Sequence, residues 1–166
     1  MSHLLVPRQN WKYYNMKTEL PMIKKRECGT CTKCCEGHLM ANVRGRDVGP
    51  GKPCIFVEIG KGCKEYDKRP KDPCKSFTCG WLDTEEIPEE FKPDKSGVIF
   101  TFRTTDELKI PYMGIHSAPN DPSSKILTWA FINAASKPFN LVWELEKKGY
   151  YFGTADFCKE MKKVHG

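Results

Sequence analysis

Cys28-Gly29-Thr30-Cys31-Thr32-Lys33-Cys34-Cys35 sets the terms on which this chain folds. Two C-x2-C steps overlap in it, and a fourth cysteine follows directly. Two intervening residues let both sulfurs of a step face one ion while backbone amides turn toward the thiolates. A single such step arises easily by chance, but this run of four does not, so it reads as metal-binding. Downstream stand Cys54, Cys63, Cys74 and Cys79, separated by eight, ten and four residues. That spacing is too irregular for a zinc ribbon, which shows two paired C-x2-C knuckles. Together the eight match two tetrathiolate sites or one binuclear site with bridging sulfurs, and their pairing stays open. Adjacent side chains project differently, so Cys34 and Cys35 are expected to serve different ions or a bridged pair. Cys158, alone in a polar tail, reads as a structural thiol.

The surroundings of these cysteines explain why metal is needed. Residues 28–79 are rich in Gly, Pro, Lys and Asp and poor in long apolar runs. So short and polar a stretch buries too little apolar surface to order itself. Metal–thiolate bonds supply the missing stabilisation, because the energy of binding at a site absent from the unfolded chain becomes folding energy. Charge agrees. The segment carries ten Lys/Arg and six Asp/Glu, a net of +4, and eight thiolates with two divalent ions bring that to zero. Lys33, Lys61, Lys64, Lys68, Arg69 and Lys75 lie near the cysteines and offset anionic sites.

At 166 residues the chain has room for one compact domain, or a small domain with an arm. No run approaches the length of a membrane span, and aromatic residues at 11% speak against wholesale disorder. The start, Met1-Ser2-His3-Leu4-Leu5-Val6-Pro7-Arg8, does not read as an export signal. A reducing, cytoplasmic setting is therefore expected, where disulfides are rare. A ferredoxin cluster would need C-x2-C-x2-C-x3-C-Pro; here His38 and Leu39 occupy the last two places. Zinc is the preferred ion, with iron or an iron–sulfur cluster of another spacing as the alternative.

Residues 1–26 read as an extended arm, with Trp11, Tyr13 and Tyr14 among polar residues and a basic run Lys24-Lys25-Arg26. Residues 27–82 form the cysteine-rich segment and 83–166 an α+β unit packed on it. Thr84 to Glu90 reads as a short helix or turn. Val98 to Phe102 and Leu108 to Ile115 predict two antiparallel strands joined through Thr104-Thr105-Asp106. Asn120 to Ser124 reads as a helix start, followed by Ile126, Leu127, Ala130, Phe131 and Ala134 at helical spacing. Pro138 interrupts this helix, a second is expected from Phe139 to Lys148 with Gly149 as its stop, then a strand at Tyr150–Phe152 and a polar C-terminal helix. The expected fold is small α+β: an irregular metal-stapled segment on a short antiparallel sheet with two or three helices.

Several motifs carry a resemblance. The C-x2-C-x2-C-C run, Cys54, Cys63-x2-Tyr66-x2-Arg69-Pro70 and Cys74-Lys75-Ser76-Phe77-Thr78-Cys79 together resemble the YkgJ-type CxxCxxCC cysteine-cluster family, described as zinc- or iron-chelating domains. Pro88-Glu89-Glu90-Phe91-Lys92-Pro93-Asp94-Lys95-Ser96-Gly97-Val98 is similar to a subset of that family, and the likeness spans roughly residues 27–100. One departure is that Lys71, Asp72 and Pro73 stand between Arg69-Pro70 and Cys74 where the family usually has two residues. The resemblance implies eight metal-binding cysteines. Arg69 is expected to donate to thiolates or loop carbonyls, Tyr66 to cover the site, and Trp81 and Leu82 to anchor the segment to the core.

No G-x-S-x-G, Walker loop or G-x-G-x-x-G is present. His38, three residues past Cys35, is a candidate ligand, and His116 would need a positioned partner to act as a base. Closed sets of four thiolates favour a structural role over catalysis. Two functional classes follow: a metal-stapled module that binds another protein or a larger assembly through the N-terminal arm, and an iron–sulfur or redox protein. A nucleic-acid module ranks third, since +6 and basic residues near aromatics establish little alone.

Overall fold

The computed structural model describes residues 26–117, 119–137 and 140–165. Apart from Arg26, the expected arm lies outside them. The cysteine-rich segment holds two small antiparallel hairpins, β1 (Ala41–Val43) with β2 (Arg46–Val48) and β3 (Val57–Glu58) with β4 (Gly62–Cys63). Turns and loops carry the rest as far as two single-turn helices, α1 (Gly80–Asp83) and α2 (Pro93–Ser96). A four-stranded sheet follows, formed by β5 (Ile99–Thr104), β6 (Pro111–His116), β7 (Asn140–Leu145) and β8 (Lys148–Phe152) in that spatial order. Helix α3 (Ser124–Ser136) joins β6 to β7, and α4 (Ala155–His165) closes the chain.

The predicted hairpin is present, with Ile99 opposite His116 and Thr104 opposite Pro111. Helix α3 starts as its sequence suggests: the Ser123 hydroxyl accepts from the Ile126 amide at 3.4 Å. The helix expected over Phe139–Lys148 is corrected by the structure. Asn140 to Leu145 is a strand, parallel to β6 with Met113 opposite Leu141 and Ile115 opposite Trp143. An apolar, partly β-branched run after a long helix fits a crossover back to the sheet, and short apolar runs do not distinguish the two states by period. Glu146 and Lys147, both at positive φ (51° and 62°), turn the chain into β8. Lys147-Lys148-Gly149, read as a helix end, is thus a hairpin. The sheet is antiparallel except at β6–β7.

Register decides the core. Phe100, Ile115 and Trp143 lie in one row across the sheet, and Met113 and Leu141 in the next on the same face. Ile126, Ala130 and Ala134 of α3 pack there with Trp81, Ile87 and Phe91. The Trp129 indole stands edge-on to Phe91 and Phe100 at 5.6 and 5.5 Å. Burying side chains such as Phe100 and Leu141 contributes about 1.5–3 kcal/mol each. Under the sheet's end, Asn140 is buried and satisfied, its amide donating to the Pro111 carbonyl and its carbonyl accepting from the Thr154 amide, both at 2.8 Å.

In the cysteine segment the apolar cluster is far smaller: Val43, Val48 and Cys54 are its buried members. The joint to the sheet is made at α1, where a Cβ on Gly80 would lie 2.9 Å from the Phe100 Cβ. Arg26 locks that joint. It donates to the carbonyls of Trp81, Thr84 and Ile87 at 2.7, 2.7 and 2.8 Å, and its guanidinium lies 4.6 Å over the Trp81 ring. Trp81 is buried in the main core and Leu82 packs against it, as the sequence suggested.

Candidate metal centre

The C-x2-C run folds as two tight turns. The Cys31 amide donates to the Cys28 carbonyl at 3.0 Å, and the Cys35 amide to the Thr32 carbonyl at 2.8 Å. Thr32 is buried and its hydroxyl donates to Glu36 at 2.6 Å, while Lys33 pairs with the other Glu36 oxygen at 2.7 Å. The distant cysteines are brought in by backbone pairing. Cys54 donates its amide to the Cys35 carbonyl at 2.8 Å, and Cys63 sits opposite Val57 in the β3–β4 hairpin. Cys74 lies in the turn Lys71–Lys75, which takes up the extra residue and contains a cis Asp72–Pro73 peptide. Cys79 immediately precedes α1, its carbonyl accepting from Leu82 and Asp83.

The electrostatic neighbours of each thiol do not follow the order of the cysteines along the chain. Cys28 interacts electrostatically with Cys79, Cys34 and Cys31, and Cys79 in turn with Cys31 and Cys34. Cys35 interacts with Cys54, Cys63 and Cys74. Cys74 is also coupled to Cys34, so the sets overlap there. The groups meet at Cys34 and Cys35, whose sulfurs are 3.8 Å apart. Seven of the eight, all but Cys79, face one cleft of about 870 Å³. Among the described residues no three His, Cys, Asp or Glu side chains converge as a formed metal site, so the thiols are neighbours around an open space and not a closed cage.

Their proton affinities follow from crowding. Burial, then the nearby Cys79, Cys34 and Cys31 thiolates, push the Cys28 thiol up to about 11. Cys31, Cys74 and Cys79 are raised too, chiefly by burial. Cys34 is pushed up strongly by the hydrogen bond shared between its sulfur and that of Cys35 and by burial, and that same bond holds Cys35 down. So many partly desolvated thiols cannot ionise together without a counter-cation. The side chains around the cleft include sulfur donors of the kind that suits a soft or borderline cation. Two cations moderate the site: Lys92 lowers Cys28 and Cys31, and Arg69 lowers Cys74.

Other expected site residues fall in varied places. Arg69 donates through Nε to the Tyr66 carbonyl at 2.9 Å, and its guanidinium lies 3.5 Å over the Tyr66 ring. It therefore serves a loop carbonyl. Tyr66 reaches the cleft but stays 60% exposed, an incomplete cover. His38 is not drawn to the thiols; it lies on the wall of a separate cavity of about 420 Å³ shared with Ser96, Gly97, Val98 and, among others, Ser117 and Asp121. His116 is held neutral by burial, its pKa lowered to about 4, and its Nε2 meets the Thr101 hydroxyl at 3.0 Å. That partner is a hydroxyl on the neighbouring strand β5. Cys158 stays on α4, its thiol directed to the Gly153 carbonyl at 3.7 Å.

Lys92 and Arg44 were not singled out by residue type or spacing. Lys92 lies within 4 Å of where a Cβ on Gly29 would be, and Arg44 sits 4.9 Å over the Phe56 ring while donating to the Lys68 carbonyl. Isolated basic residues in a basic chain give no signal; only the fold brings them here. No protein-family model, curated protein or solved structure matches this chain.

Proposed function

We propose that this chain is a metal-stapled module holding two zinc ions, one on Cys28, Cys31, Cys34 and Cys79 and the other on Cys35, Cys54, Cys63 and Cys74. The metal replaces an apolar core in residues 28–79, and the ordered surface serves in binding or assembly. The observation carrying this reading is the gathering of seven of the eight thiols around one cleft, in a segment whose apolar cluster has three buried members. The resemblance to YkgJ-type cysteine-cluster domains supports it. All-thiolate sites with no open position favour structure over turnover. An iron–sulfur centre is the second reading, favoured by the sulfur-only donor set and by the 3.8 Å approach of Cys34 to Cys35 between the groups. Zinc thiolates are colourless and a cluster absorbs in the visible, so a spectrum separates them. No helix among the described residues is long and apolar enough to cross a membrane.

The partition is tested by serine scanning with metal analysis. Cys28→Ser and Cys79→Ser should each weaken the same ion, and combining them should remove no more than that one. Cys79→Ser with Cys54→Ser should lose both ions, while Cys158→Ser should leave the ratio unchanged. If the Cys28/Cys79 double variant loses both ions and Cys79/Cys54 only one, the assignment of cysteines is wrong.

A further inference from the structure

The eight thiols are not covered alike. Residues 27–30 are exposed, and Cys28 is the one exposed thiol among the eight. Within 4 Å of a Cβ built on the next residue, Gly29, only the Lys92 ammonium is met, at 3.9 Å. Cys54 lies at the other extreme, 9% exposed. With Cys35 and Cys74 it belongs to the apolar cluster of Val43, Val48, Phe56 and Val57. Backbone pairing ties this neighbourhood together. The Cys54 amide donates to the Cys35 carbonyl at 2.8 Å, the Val57 amide donates to the Cys54 carbonyl at 3.0 Å, and Cys63 stands opposite Val57.

That contrast bears on exchange. A thiolate that displaces a bound one must first reach the ion, and an apolar shell controls that access. Near Cys54 the entrant sheds its hydration among valine and phenylalanine side chains, a costly transfer for a charge. Near Cys28 it stays in water and approaches beside an ammonium group, which attracts it.

We propose that the ion on Cys28, Cys31, Cys34 and Cys79 is exchangeable cargo, handed to and from thiol carriers at Cys28, while the ion on Cys35, Cys54, Cys63 and Cys74 stays and holds the fold. The inference rests on the two-zinc reading above. Displacement needs no vacant position in a tetrathiolate set. The carrier's sulfur bonds to zinc as the Cys28 sulfur leaves, and Cys28 takes up the proton that the carrier thiol gave up. No atom changes oxidation state. Repetition at Cys31, Cys34 and Cys79 carries the ion away as a thiolate complex, and the reverse sequence loads it.

Zinc release from the full chain as isolated, under reducing conditions and with a chromophoric zinc chelator in excess, tests this. The expected course is loss of one ion of the two in a fast phase and of the second in a separate slow one, with added glutathione speeding only the first. Alkylation at the end of the fast phase, read by mass spectrometry, should mark Cys28, Cys31, Cys34 and Cys79. Cys35, Cys54, Cys63 and Cys74 should be spared, and the amides of β1–β4 should keep their protection from hydrogen exchange. Both ions leaving in one phase, Cys54 and Cys63 labelled first, or a fast phase indifferent to glutathione overturns this inference and leaves the two-zinc reading standing. A chain isolated without zinc overturns that reading, and this inference with it.

Discussion

Chelation under reducing conditions is expected to remove protection from the amides of residues 28–79 while β5–β8 keep theirs. The asymmetry follows from what each part buries. The sheet unit has a core of Phe100, Met113, Ile115, Leu141, Ile126 and their neighbours, each large side chain contributing about 1.5–3 kcal/mol. In the cysteine segment the cluster reduces to Val43, Val48 and Cys54, and its hairpins pair only two or three residues per strand. Neither offsets the backbone entropy of ordering the segment, on the order of 1–2 kcal/mol per residue. On the proposed reading, thiolate–metal bonds make up the difference, and chelation takes them away. Hydrogen exchange with peptide resolution reads the outcome directly. Equal loss in both halves would mean that metal holds the whole chain, and no loss would mean that the segment stands on packing alone.

Gly37→Ala is expected to destabilise the chain by about 3 kcal/mol or more and to lower bound metal with it. Gly37 adopts φ 98°, and a Cβ there would lie 2.1 Å from the Gly49 carbonyl oxygen and 2.7 Å from its carbon. Both obstacles are backbone, so no rotamer relieves them. The residue lies two past Cys35, and the strand end it presses against leads to Cys54, whose amide bonds the Cys35 carbonyl. Displacing that contact separates Cys35 from Cys54. Gly45→Ala is the control: φ is 79°, yet nothing lies within 4 Å of the new Cβ, so about 1 kcal/mol of backbone strain is all it should show. Denaturant midpoints and metal ratios of the two variants decide. Equal effects would remove the special role of the Gly37–Gly49 approach.

The β5–β6 hairpin and α3 were legible because each carries a local signal, alternation in one and a serine cap with helical spacing in the other. The strand at Asn140–Leu145 was not, because its state is set by the neighbour it joins: β6 offers an open side, and the crossover through α3 delivers the run to it. That the cysteines gather in one neighbourhood was legible from their clustering in the sequence. Which thiols lie nearest one another was not. Cys79 follows Cys74 closely in sequence, yet α1 and the Arg26 joint hold it on the side of Cys28 and Cys31, a long-range consequence of packing on β5. His38 illustrates the reverse. Proximity to Cys35 in sequence suggested a ligand, but the turn at Gly37 carries it to a different cavity.

The most direct test of the central claim is the metal-to-chain ratio and visible spectrum of protein isolated without oxygen, measured together with the number of thiols open to alkylation. Two zinc ions per colourless chain, with the eight cysteines from Cys28 to Cys79 shielded until chelator is added, is the predicted result. A well-folded chain with no metal and all eight thiols freely reactive, or with those sulfurs joined as disulfides, would contradict it.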